Sequence, residues 1–142
     1  MLLGGEMILV DTSAWIDGFR GGFCKNILNR LIDSRQLCVN DVILAELLPS
    51  IRHRRETHLE ILLASLPRLR VWIDWEELMV MQTENLRNGV NKVGLPDLMI
   101  VQNAIQNNAA ILSTDKHFFL MKQFFDFDLY HDSNENDFIS IL

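Results

Sequence analysis

The chain has 142 residues, 49% of them apolar and 23% charged, which suits one soluble core and is too short for two. Its 19 acidic residues outnumber 13 Lys and Arg, giving a net charge of −6, which argues against a protein that grips phosphates by basic residues alone. The longest apolar runs, such as Val42 to Leu48 around Glu46, are far too short to span a bilayer, and Met1 to Val10 carries Glu6 with no basic leader, so no membrane or secretory role is expected. Cys24 and Cys38 have no metal-like or redox-like spacing and are expected as reduced thiols in the cytoplasm. No linker, repeat or low-complexity stretch divides the chain, so residues 1–142 read as one domain. Met7 is an alternative start, which would make residues 1–6 an upstream tail.

In chain order, Met7 to Val10 is an apolar run ending at Asp11 and predicts a buried strand. Asp11, Thr12 and Ser13 are good helix caps ahead of Trp15, Ile16 and Phe19, and Gly21 and Gly22 stop that helix. Lys25 to Arg35 predicts an amphipathic helix with Ile27, Leu28, Leu31 and Ile32 on one face. Gln36 to Asn40 predicts a short strand, after which Asp41 caps a helix through Leu48 that Pro49 ends or kinks. Arg55 to Leu66 is a further helix, closed by Pro67. Leu69 to Ile73 has the Val, Trp and Ile content of a strand. Glu76 to Arg87 predicts a helix stopped by Gly89, and Pro96 and Asp97 open another that runs to about Asn107. Ala109 to Ser113 is an apolar strand emptying into Thr114 and Asp115. A helix over His117 to Phe125 and an edge strand over Leu129 to His131 complete the core, ahead of a polar, loose tail over residues 132–142. Strands alternating with helices predict an α/β class with a parallel sheet covered on both faces.

Four carboxylates stand out. Asp11 and Asp115 each follow an apolar strand and precede a helix, which is where open α/β sheets bind ligands; each is equally readable as a plain helix cap. Asp97 lies in a first helical turn, where its charge suits the helix dipole whether or not it binds anything. Glu46 sits among Val42, Ile43, Leu44, Ala45, Leu47 and Leu48, so it is expected to be buried and to need a cation, unless it lies on a narrow solvent-facing stripe or pairs with Arg52 to Arg55. Together they predict one acidic pocket whose oxygen donors suit Mg²⁺ or Mn²⁺ rather than zinc. The four histidines, His53, His58, His117 and His131, show no ligand pattern and are expected at the surface or in packing.

At these residues the sequence resembles the PIN-domain family, from Met7 to about His131. Residues Ile8 to Asp17 are similar to that family's opening strand, first acid and helix, and Ile43 to Leu48 to its isolated glutamate in an apolar helix. Gly94 to Ala104 resembles the third motif, with Gln102 and Asn103 where small residues are usual. Ala110 to Phe118 resembles the closing strand, with Ser113 in the place of a threonine. The resemblance implies a three-layer α/β/α sandwich with strand order 3-2-1-4-5. It implies a metal-dependent endoribonuclease that is a homodimer and uses Asp11, Glu46, Asp97 and Asp115 to hold Mg²⁺ or Mn²⁺. For the VapC-type toxin branch, indicated by small size and the opening Asp-Thr-Ser-Ala-Trp-Ile-Asp, it also implies an antitoxin in the active-site groove.

Thr12, Ser13, Ser113 and Thr114 are close to the acids and suited to orienting them, and Asp17 reads as a helix-surface or orienting group. Arg52, Arg54 and Arg55 are candidates for gripping RNA, against a plain solvated face. The rival reading is a non-catalytic interaction module with the same fold and a structural cation site. A receiver-type phosphoacceptor domain fits poorly, because Asp11 is followed by Thr12 and Ser13 rather than paired with a second acid.

Overall fold

A computed structural model describes residues 5–131; the remainder of the proposed N-terminal tail and all of the C-terminal tail lie outside the described residues. Within the former, Gly5 and Glu6 are exposed, and the Glu6 carbonyl accepts a 3.2 Å bond from the Gln36 amide. The strands are β1 (Ile8–Val10), β2 (Leu37–Cys38), β3 (Ala110–Leu112) and β4 (Asp128–Leu129). The helices are α1 (Thr12–Phe19), α2 (Cys24–Asp33), α3 (Asp41–His53), α4 (Thr57–Ser65), α5 (Trp75–Arg87), α6 (Leu95–Asn107) and α7 (Lys116–Met121). All pairings are parallel, in the order β2-β1-β3-β4, with Leu9 opposite Cys38 on one side and Ile111 on the other. Successive strand residues point to opposite faces, and Ile8, Leu9 and Val10 are all fully buried, so helices cover both faces of the centre. The α/β class with a parallel sheet is therefore as expected.

The segment expected as a strand at Leu69 to Ile73 is reduced to a single parallel bridge between Val39 and Arg68. That bridge uses Val39 N–H to the Pro67 carbonyl at 2.9 Å and Leu69 N–H to the Val39 carbonyl at 2.7 Å. It stands beside β2, where the outer strand of the expected 3-2-1-4-5 order belongs. The ladder stops there because α6 offers other partners. Asn103 donates to the Arg70 carbonyl at 2.9 Å, Gln106 to the Trp72 carbonyl at 2.9 Å and Gln102 to the Asp74 carbonyl at 3.0 Å. Side-chain amides thus satisfy backbone groups that a sheet would otherwise pair. Asn103 in turn accepts from Asn40 at 2.9 Å, deep in the core. Gln102 and Asn103, the departures noted in the third motif, are what hold this segment.

Several boundaries shift for local reasons. The cap of α3 is Asn40, whose side chain accepts from Ile43 N–H, and Asp41 is the first residue of the helix. The helix passes through Pro49 and ends at His53, where Arg55 takes a left-handed φ of 56°. The last helix ends at Met121 rather than Phe125, leaving Phe124 and Phe125 edge to face at 4.6 Å in the following turn. Asp17 is half-buried, and its carboxylate accepts the Cys24 N–H at 2.7 Å, fastening the start of α2. A side chain at Gly22 would collide with that carboxylate, its Cβ falling 2.4 Å from Asp17 Oδ1. Cys24 and Cys38 are buried and form no disulfide, and burial pushes the Cys38 thiol up to about 12. Among the described residues no helix is long and apolar enough to cross a membrane.

Replacing Asn103 by leucine leaves the Asn40 amide and the Arg70 carbonyl without partners. At about 1–3 kcal/mol for each stranded group, the variant should lose roughly 2–6 kcal/mol in urea unfolding. Wild-type stability would show that the 68–74 segment is held by something else.

Candidate active site

The site is built at the carboxyl ends of β1 and β3. Asp11 extends their ladder by one residue, its N–H donating to the Leu112 carbonyl at 3.0 Å. That pins the aspartate at the head of α1, where Oδ1 accepts from Ser13 Oγ at 2.7 Å and Ala14 N–H at 3.2 Å. Oδ2 accepts from Ser113 Oγ at 2.9 Å. Asp11 is therefore a helix cap and a cavity group at once, not one or the other. It is only 3% exposed, and this burial raises its carboxyl to about 6, against the pull of Ser13, Ala14 and Ser113 and with a small push from Asp115.

The two serines also set the second strand end. Ser113 Oγ accepts the Asp115 N–H at 2.9 Å, and Ser13 Oγ accepts the Thr114 N–H at 3.1 Å. Thr114 thus takes part through its backbone. Asp115 caps α7 by accepting the His117 N–H, and His117 Nδ1 lies 2.9 Å from the same oxygen, Oδ1. From the side, Asp97 enters in the first turn of α6, after Gly94 at the cap position and with Pro96 ahead of it. Its carboxyl is half-buried and raised to about 6, first by desolvation, then by the charges of Asp115 and Glu46, with His117 opposing them. Glu46 reaches in from α3, held by the Thr12 hydroxyl, which donates to Oε1 at 2.9 Å.

These four acids, with Thr12, Ser13, Ile16 and Ile100, line one open cavity of about 260 Å³. None of its lining residues is Lys or Arg. The expected burial of Glu46 is corrected: α3 buries Ile43, Leu44, Leu47 and Ile51, and Glu46 lies on the exposed side facing the cavity. The histidines showed no ligand pattern in the sequence, yet the fold brings His117 close to two of the acids. A ligand atom from each of Asp97, Asp115 and His117 falls within 4.8 Å of the others. The basic run is divided. Arg52 pairs with Glu60 at 2.8 Å, Arg55 is exposed, and Arg54 lines a neighbouring cleft of about 170 Å³ that shares Ile16 and Glu46 with the acidic cavity.

The family model described as PIN domain matches residues 8–122, most of the chain and all four acids. The chain belongs to the PIN-domain family. No curated protein matches it significantly in sequence. Among solved structures, this PIN domain is similar to a chain of VapBC2 from Rickettsia felis bound to a DNA fragment from their promoter, at 20% identity and TM-score 0.68, covering 87% of this chain and 97% of that one. It is similar to a chain of DNA-bound VapBC from Salmonella typhimurium, at 16% identity and TM-score 0.68, covering 89% and 98%. A third is a toxin–antitoxin complex from Klebsiella pneumoniae, at 15% identity and TM-score 0.57, covering 77% and 87%. At these identities the likeness establishes the fold.

The raised Asp97 and Asp11 carboxyls have a thermodynamic consequence for this PIN domain. Between about pH 4, near the unfolded aspartate value, and about pH 6, the native state binds more protons than the unfolded chain, so their contribution to stability falls as pH rises. Asp97→Asn should therefore melt higher than wild type at pH 7 in EDTA, the two curves converging near pH 4. A variant that melts lower at both pH values would assign Asp97 a structural role instead.

Proposed function

We propose that this PIN domain is a divalent-cation-dependent endoribonuclease, the toxin of a toxin–antitoxin pair. The observation that carries the reading is the convergence of Asp11, Glu46, Asp97 and Asp115, from four separate parts of the chain, on a cavity with no basic residue in its lining. Such a set repels itself: on top of the burial that chiefly raises the Asp97 carboxyl, the charges of Asp115 and Glu46 push it the same way, and a cation is the natural counter-charge. Oxygen donors fit Mg²⁺ or Mn²⁺. When bound, the ion supplies activation of water and neutralisation of charge on a phosphodiester.

The chain's own residues do the positioning. Ser13 and Ser113 fix both oxygens of Asp11, and Thr12 fixes Glu46, so the acids present lone pairs in set directions. Ile16 and Ile100 form apolar wall beside them. Arg54, in the adjoining cleft with Arg20, is assigned to a phosphate of the bound strand ahead of Arg52, which pairs with Glu60, and Arg55, which lines neither cavity. The antitoxin is supported by the fold shared with toxin–antitoxin complexes. A homodimer is supported by exposed Trp75, Met79 and Leu86, which make an apolar stripe along α5 beside exposed Trp72. A cytoplasmic location goes with an RNA substrate.

The test is cleavage of total cellular RNA by antitoxin-free protein in Mg²⁺ or Mn²⁺ against EDTA. Cutting should require the metal and fall at least about 100-fold in Asp11→Ala. Products should carry 5′-phosphate and 3′-hydroxyl ends. A 2′,3′-cyclic phosphate end would overturn the mechanism, and no cutting by folded, metal-loaded protein would favour a binding module.

A further inference from the structure

We propose that His117 supplies a nitrogen ligand to a cation shared with Asp97 and Asp115, making this part of the pocket selective for Mn²⁺ over Mg²⁺. The proposal rests on the cation-dependent reading above and specifies its metal. The four acids alone describe an oxygen-only site. The set of three that the described residues bring within 4.8 Å of one another is instead Asp97, Asp115 and His117. Donors around one ion, at bonds of roughly 2.0–2.3 Å, lie about 3–4.5 Å apart, so this set needs little adjustment.

The three come from independent elements: the first turn of α6, the end of β3 and the start of α7. Besides the His117 N–H that caps α7, the ring folds back so that Nδ1 lies 2.9 Å from the same Asp115 oxygen, a hydrogen bond that fixes the orientation of the imidazole. The side chain is 21% exposed, sheltered enough to hold its orientation and open enough for an ion to reach. His117 is not among the residues that line the main cavity, but it lies within reach of Asp97 and Asp115, which do. An ion drawn toward it is therefore held by a mixed nitrogen–oxygen set, while Asp11 and Glu46 keep an oxygen-only side. Imidazole suits the transition metals, Mn²⁺ accepts both donor types, and Mg²⁺ strongly prefers oxygen.

The experiment uses the full chain, freed of metal and loaded with one equivalent of Mn²⁺. Electron spin echo envelope modulation should show ¹⁴N coupling in the wild type and none in His117→Phe. By calorimetry, His117→Phe should lose on the order of tenfold in Mn²⁺ affinity, with Mg²⁺ affinity nearly unchanged. Bound Mn²⁺ without ¹⁴N coupling in the wild type overturns the proposal while leaving the cation-dependent reading intact. Equal losses for both ions would also overturn it, reducing His117 to a positioner of Asp115. Failure of folded wild type to bind Mn²⁺ at all would instead overturn the cation-dependent reading itself.

Discussion

Parallel pairing of β1 with β3 is the constraint on which the rest of the molecule depends. It carries Leu9 and Ile111 into register across about a hundred residues of chain, and the Asp11 N–H continues it onto Leu112. Because β1 is central and helices cover both faces, the sheet meets solvent usefully only at its strand ends. An aspartate at that point is necessarily buried. A buried carboxylate is tolerable only if hydrogen-bonded, and Ser13, Ala14 and Ser113 supply those bonds from both sides of the strand pair. The serines are thus as much a part of the sheet's closure as of the site.

Charge is treated differently on the two sides of the cavity. Asp11 is desolvated yet fully hydrogen-bonded, so its energetics are set by burial. Asp97 is raised by burial as well, but there the charges of Asp115 and Glu46 add to it. The first arrangement fixes geometry; the second stores repulsion that a counter-charge relieves. Part of the chain's acidity is accounted for in this way, since acids that would be a liability to a basic-patch RNA binder form the cavity itself.

Much of this was legible in the sequence. Buried parallel strands are continuous apolar runs, so β1 and β3 were readable, and with them the strand-end positions of Asp11 and Asp115. Glu46 was found by a faulty route: an apolar neighbourhood in sequence is not burial, because α3 turns only Ile43, Leu44, Leu47 and Ile51 inward. The Leu69 to Ile73 segment has strand composition, but its fate depends on Gln102, Asn103 and Gln106, whose reach is invisible until α6 is in place. Asn40 and Asp41 are adjacent and equally good caps, and only the fold chooses between them. His117 has no partner histidine to announce it. The signal available was its place two residues after a capping aspartate, close enough for the ring to return to that carboxylate.

The amide relay running from α3 to α6 also bears on how such a chain changes by descent. Asn40 uses its oxygen for the Ile43 N–H and its nitrogen for Asn103, which spends its own nitrogen on Arg70. The relay has a direction, and each member is both donor and acceptor. Aspartate at 40 would keep the cap but present an acceptor to an acceptor; turning Asn103 over would only move the clash to the Arg70 carbonyl. Positions 40 and 103 can therefore drift only in concert. They form a coupled pair, 63 residues apart, that ties together the two helices carrying Glu46 and Asp97.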